Sequence, residues 1–273
     1  MPSSNKLLTE NGRLQAVLLQ AYHRARRRAL LLDYDGTLVP FVTDPKQARP
    51  DLALRNLLRA LGGATGNEVV IVSGRQRRDL EQWFGSLPIA LIAEHGVWLK
   101  PRGGEWRMLM TLQAEWKESV RPILQLFVER LPGASLEEKE FSLAWHYRGA
   151  EPVHAQALSR ELLNALIELT RGIDVQLLQG NRVLEVRNAG VTKGTAAIEW
   201  LALFRADFVL AIGDDQTDED LFRALPSTAH SVRVGFAQTV AQYHLGNYTA
   251  VRRLLSRLVD KPVGGRANSE ELD

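Results

Sequence analysis

Apolar positions along the chain follow two patterns. Four short runs, Ala29–Leu32, Val69–Val72, Ile89–Ala93 and Phe208–Ile212, are wholly apolar and bounded by polar residues, Gly or Pro. Such runs predict strands buried on both faces, as in a parallel sheet between helices. In contrast, Leu14, Val17, Leu18, Ala21 and Tyr22 recur at helical spacing, and Leu52–Leu61 and Arg77–Phe84 predict helices after the first two strands. Strand followed by helix, repeated, is the mark of an α/β fold. In the middle, Trp116–Leu131 and Val153–Arg171 read as helices. Leu136–Tyr147 and Arg182–Arg187 read as strands that mix charged and apolar residues, so each has one wet face. An α+β insertion is therefore expected over 106–187, inside an α/β core made of 29–105 and 188–263. A helical extension over 1–28 precedes the core, and a polar tail over 264–273 predicts disorder.

Composition narrows the chemistry. The 273 residues are 45% hydrophobic and 24% charged, in the ordinary globular range, and at roughly 100–200 residues per domain allow one large domain or two modest ones. No window approaches the ~18 consecutive apolar residues of a membrane span. The absence of Cys excludes a disulfide framework, a thiolate zinc site and a cysteine nucleophile, leaving carboxylates, hydroxyls, Lys and His. The formal charge is +2, and the basic residues are spread out apart from the run Arg24, Arg26, Arg27 and Arg28, so no nucleic-acid partner is expected. That run follows an apolar stretch, whereas a signal peptide puts its charge first; the cytoplasm is the expected compartment.

The candidate chemistry lies after the apolar strands or at helix starts, where open α/β sheets bind ligands. In Asp33-Tyr34-Asp35-Gly36-Thr37-Leu38, two nearby anions repel, so one is protonated or a cation sits between them; an Asx-rich turn is the alternative. In Gly213-Asp214-Asp215-Gln216-Thr217-Asp218-Glu219-Asp220, clustered acids are costly without cations, although Asp218–Asp220 also suit the first turn of a helix. Oxygen-only ligands favour hard Mg²⁺ over zinc. Ser73-Gly74-Arg75 offers a hydroxyl and backbone N–H groups suited to phosphate, and Ser is also a routine N-cap. Lys193-Gly194 opens another helix.

The order Asp-x-Asp-Gly-Thr, Ser, Lys, Gly-Asp-Asp resembles the haloacid dehalogenase superfamily of phosphotransferases. The resemblance implies a Rossmann-like core and an aspartyl-phosphate mechanism with Asp33, Asp35, Thr37, Ser73 and Lys193 as the catalytic set. Asp33 would be the nucleophile, and Asp35 the acid and then the base, kept protonated by its negative neighbourhood. Ser73 and Lys193 would hold the phosphoryl group. Mg²⁺ would bind Asp33, the main-chain carbonyl of Asp35, and Asp214, with Asp218 supporting from behind.

Further matches narrow the resemblance. Pro45 and Pro50, Ala93-Glu94-His95-Gly96, Glu137-x-Lys139, His146-Tyr147-Arg148 and Glu185-Val186-Arg187 are similar to the trehalose-6-phosphate phosphatase family. This implies trehalose 6-phosphate as substrate, bound by Arg75 together with Glu137, Lys139, Arg148 and Glu185 of an inserted cap. Glu137 and Lys139 share a strand face by period two, but Arg148 has the opposite parity and joins them only if the chain bends near Gly149. His95 is expected to be a core or loop histidine bonded to backbone, and most of Trp98, Trp106, Trp116, Trp145 and Trp200 to be core. The N-terminal helix and its Arg run resemble the joint of fused synthase–phosphatase proteins. That implies a trehalose-phosphate synthase domain or subunit as partner, with the helix packed on it or on the chain's own core. The alternatives are another sugar phosphate, such as sucrose 6-phosphate or a glycosylglycerate phosphate, and a silent domain that binds a synthase. Retention of Asp33, Asp35 and Lys193 argues against the silent domain.

Overall fold

The computed structural model describes residues 15–42 and 47–259. Leu14, Pro45 and the 264–273 tail lie outside those residues. Helix α1 (15–24) leads into β1 (Arg28–Leu32), α2 (Leu52–Gly63), β2 (Asn67–Val72), α3 (Arg77–Phe84), β3 (Ala90–Ala93), β4 (Trp98–Lys100) and β5 (Arg107–Met108). A second unit follows: α4 (Trp116–Arg130), β6 (Ser135–Glu138), β7 (Ser142–His146), α5 (Pro152–Leu169), β8 (Val175–Gly180) and β9 (Val183–Asn188). The chain then returns through α6 (Lys193–Leu203), β10 (Phe208–Gly213), α7 (Gln216–Ala224), β11 (His230–Val234), β12 (Tyr243–Leu245) and α8 (Tyr248–Val259). No helix among the described residues is long and apolar enough to cross a membrane.

The large sheet has the order β12-β11-β10-β1-β2-β3-β4-β5, with β1 between β10 and β2 and six strands running parallel. The apolar runs are two-sided, as their composition predicts. Leu30 and Leu32 of β1 join a core with α1, α2, α3 and α8, while Ala29 and Leu31 join another beneath α6 and α7. Register aligns Leu32 with Ile71 of β2 and Ile212 of β10, so these three strands end on one edge. β4 runs antiparallel to β3 and β5 antiparallel to β4, both extending the sheet, so the first crossing to the second unit lies beyond Met108, not at 106.

The smaller sheet, β6-β7-β9-β8, is antiparallel and has its own core. Leu143 and Trp145 of β7 and Leu184 and Val186 of β9 pack on α4 and α5 through Val120, Leu124, Leu158 and Leu162. The alternate residues face the other way, as period two requires. The expected single strand over Leu136–Tyr147 is a hairpin: Lys139, Glu140 and Phe141 form its turn, and Glu137 stands opposite Ala144, which stands opposite Glu185. The turn resets parity, so Ala144 and His146 share the face of Glu137. β7 ends at His146, and the chain bends at Arg148–Gly149 in a turn closed by Ala150 N–H to Tyr147 O, near where the sequence placed a bend. Strand β8, absent from the sequence reading, pairs along the whole of β9. Helix α1 packs on the chain's own core, with Leu18 and Tyr22 buried and the Tyr22 hydroxyl accepting from Asn67 Nδ2 at 2.6 Å.

Candidate active site

The residues after β1, β2 and β10 converge because those strands end together. Asp33 follows β1, Ser73 follows β2 and Asp214 follows β10. Lys193 reaches them from the first turn of α6, whose start is fixed by a reciprocal capping pair between Thr192 and Thr195. Its Nζ donates to Asp33 Oδ1 at 2.6 Å and to Asp218 Oδ1 at 2.9 Å, and all three side chains are buried. Asp218 Oδ2 accepts the backbone N–H groups of Asp214 and Asp215, and Asp215 in turn caps α7. Thr37 is fully buried and donates to Asp214 Oδ1 at 3.2 Å. Gly36 has a φ of +81°, and a side chain there would overlap Asp214 and the Phe41 ring, so the turn requires glycine twice over.

Charge in this cluster is unbalanced. Burial pushes the Asp33 carboxyl well up; Lys193 opposes this, and Asp214 and Asp215 add to it. Burial, then Asp215 and Asp218, raise Asp214 to about 7. For Lys193 burial works against the charge, but Asp218, Asp33 and Asp215 overcome it and hold the ammonium protonated. Four acids around one ammonium leave a surplus of negative charge. Asp33, Asp214 and Asp218 can bring one oxygen each within 4.8 Å of one another. An all-oxygen donor set carrying excess anion fits a hard divalent cation. Of the three, Asp218 already spends both oxygens on Lys193 and backbone N–H groups, which suits it to orient the others.

Asp35 lies differently from the expectation. It is held by Arg75 in a two-point ion pair, Nε to Oδ2 at 2.7 Å and Nη2 to Oδ1 at 2.6 Å. A guanidinium fork matches a carboxylate, so the group that Asp35 touches is a cation, where the sequence led to the expectation of an anionic neighbourhood. The same contact puts Arg75 on Asp35, with its guanidinium also over Trp83.

A cleft of about 970 Å³ opens between the two sheets, at the upper end of the roughly 300–1,000 Å³ usual for ligand pockets. Asp33, Asp35, Ser73, Arg75 and Lys193 line its floor; Glu137, Lys139, Arg148 and Glu185 line it from the smaller sheet. Thr37 and Asp214 stand just behind the floor. Lys139 Nζ donates to Glu185 Oε1 at 3.1 Å, Ser142 donates to the same oxygen at 2.7 Å, and Glu137 Oε2 pairs with His146 Nε2 at 2.8 Å. Burial disfavours the Glu137 carboxylate, yet the His146 hydrogen bond and Lys139 bring it down to about 2; Lys139 and His95 likewise hold Glu185 well below its usual range. Arg148 donates to the main-chain carbonyls of Val42 (3.0 Å) and Asn181 (3.1 Å), so it spans both units.

The His95 expectation is corrected here, and Gln76 and Arg233 are additions that the sequence did not single out. His95 reaches Glu185 Oε2 at 3.4 Å instead of bonding backbone, and Gly74 leaves the space its ring occupies. Glu94 and His95 both adopt positive φ, at 52° and 58°. Gln76 donates to Glu137, and buried Arg233 holds the acidic loop through Asp215 O at 2.6 Å and Glu219 at 3.0 Å. Trp98, Trp116, Trp145 and Trp200 are buried, and Trp106 bonds Glu81, in keeping with core roles.

Comparison with known proteins gives a consistent result. The trehalose-phosphatase family model matches residues 31–248. A bifunctional trehalose-6-phosphate synthase/phosphatase of Thermoproteus tenax is 44% identical over 87% of this chain and 32% of its own length. A trehalose-phosphatase of Schizosaccharomyces pombe is 37% identical over 81% of this chain and 28% of its own. The chain thus spans about a third of the length of these curated relatives. Among solved structures, the C-terminal domain of Candida albicans trehalose-6-phosphate phosphatase superposes with a TM-score of 0.85 at 33% identity, covering 90% of this chain and 96% of that one.

Proposed function

The chain belongs to the trehalose-phosphatase family, and we propose that it hydrolyses trehalose 6-phosphate to trehalose and phosphate. The observation that carries this reading is the single cleft in which Asp33 and Lys193 face Glu137, Lys139 and Glu185 across room for a disaccharide phosphate. The strand edge and its acids form the catalytic core, and the segment from the end of β5 through β9 is the cap.

Asp33 attacks phosphorus, and the P–O bond to the sugar breaks as Asp35 gives its proton to the leaving oxygen. A water, losing a proton to Asp35, then attacks the aspartyl phosphate and frees phosphate and Asp33. Splitting the reaction in this way eases one of the slowest uncatalysed hydrolyses known. Ser73 and Lys193 hold the phosphoryl oxygens, Thr37 keeps Asp214 in place, and Asp218 keeps Lys193 in place. Arg75 links binding to chemistry: its fork suits phosphate as well as carboxylate, so an arriving phosphate draws it off Asp35 and leaves Asp35 free to carry a proton. Mg²⁺ bound by Asp33, the Asp35 carbonyl and Asp214 would neutralise charge on the transferring oxygens. Glu137, paired with His146, and Lys139 and Glu185, paired with each other, exchange those partners for sugar hydroxyls. Arg148 closes the far side. A trehalose-phosphate synthase domain or subunit is the expected partner, supported by relatives that carry both names in one longer chain.

Phosphate release from trehalose 6-phosphate, sucrose 6-phosphate and glucose 6-phosphate, each with Mg²⁺ and with EDTA, tests the reading. Metal-dependent preference for the trehalose ester is expected. Preference for another ester would discard the substrate, and no release from any would point to a silent synthase-binding domain.

A further inference from the structure

We propose that Phe41 determines specificity by serving as the apolar platform for the sugar that carries the phosphate. The inference rests on the sugar-phosphatase reading above. The cap supplies the cleft with charged groups, which suit hydroxyls, yet a pyranose also has a face of C–H bonds that gains nothing from them. Sugar sites meet that face with an exposed aromatic ring. Among the described residues lining the cleft, the Phe, Tyr and Trp side chains are those of Phe41 and Trp83. Trp83 is 7% exposed and packs against Tyr34, Phe84 and the Arg75 guanidinium, so its faces are taken. Phe41 is 50% exposed.

Its position is fixed from both sides. The ring edge lies against Gly36, where a side chain would overlap both Phe41 and Asp214, so Phe41 adjoins the carboxylate cluster. Any sugar stacked on it is the one next to the phosphate. From the cap, the Arg148 guanidinium lies 5.6 Å from the ring centroid and donates to the carbonyl of the next residue, Val42. The β7–β9 register runs from Ser142 opposite Arg187 to His146 opposite Val183, carrying the chain toward Arg148 away from the crossing at Asn188. Arg148 therefore holds the Phe41 platform when the cap is down.

The test compares Phe41→Ala, Phe41→Leu and Phe41→Tyr with the unaltered chain, using steady-state turnover of trehalose 6-phosphate and competitive inhibition by inorganic phosphate. Phe41→Ala is expected to raise KM about tenfold, with kcat within about twofold and phosphate inhibition unchanged. Phe41→Tyr keeps a ring and stays near the starting KM; Phe41→Leu falls between. An unchanged KM in Phe41→Ala would overturn the proposal, as would a Leu variant equal to Phe. So would parallel losses in KM and phosphate inhibition, which would make Phe41 a prop for the floor. Melting temperatures identify any variant that fails to fold, and the Leu variant then decides. If the unaltered enzyme prefers another sugar phosphate, the same comparison is read on that ester, and a KM effect there keeps Phe41 while the trehalose assignment falls.

Discussion

The floor and the roof of the cleft handle charge in opposite ways. On the floor, Asp33, Asp214, Asp215 and Asp218 crowd around one ammonium, and burial and mutual repulsion drive Asp33, Asp214 and Asp218 upward. On the roof, Glu137 has His146, and Glu185 has Lys139, Ser142 and His95, so both carboxylates are held down despite burial. A surplus of anion seeks a cation and a phosphoryl group. Balanced pairs, by contrast, release their hydrogen bonds to neutral hydroxyls without stranding a charge. In the proposed function one cleft thus joins a reactive surface to a recognising one, and each can be disturbed without the other.

The largest expected effect is on the floor. Asp33→Asn removes the proposed nucleophile while nearly preserving its shape, so turnover is expected to fall by at least about 10³-fold in a phosphate-release assay with the melting temperature retained or raised. Substantial residual turnover would overturn the covalent route. Lys193→Met strands two buried carboxylates and is expected to cost roughly 3–5 kcal/mol in urea unfolding without metal, as for other broken buried pairs. Asp214→Asn relieves repulsion and removes a proposed metal donor. The metal-free protein should melt at an equal or higher temperature, and the rise that Mg²⁺ gives the unaltered chain should shrink.

On the roof the effects are smaller and selective. Lys139→Met should raise KM for the disaccharide phosphate about 10–100-fold and leave inhibition by inorganic phosphate unchanged. Equal changes in both would erase the contrast between floor and roof. The smallest effect concerns pH. The folded Glu137 carboxyl sits near 2, below its ordinary 4.5, so its contribution to stability is present above 4.5 and lost as pH falls toward 2. Glu137→Gln should flatten the dependence of melting temperature on pH within that window, relative to the unaltered chain.

Sequence alone determined the strand-end chemistry. Apolar runs long enough only for buried strands, each followed by Asp33, Ser73 or Asp214, already imply one reactive edge, because parallel strands in register end together and present their next residues side by side. Capping chemistry at Thr192 and Asp215 is similarly local. What sequence could not supply were pairings across long separations. Arg75 grips Asp35 from 40 residues away, Arg148 reaches Val42 from 106, and Lys139 meets Glu185 from 46. The hairpin at Lys139–Phe141 changed which residues share a face, since one turn in a charged stretch resets an alternation that reads as continuous. Phe41 carries no signal in the local pattern, and it stands out only because packing buries Trp83 and leaves the Phe41 ring half exposed at the cleft. Local periodicity records which way a side chain points along its own element; its partner depends on how separate elements cross, and only the packed structure decides that.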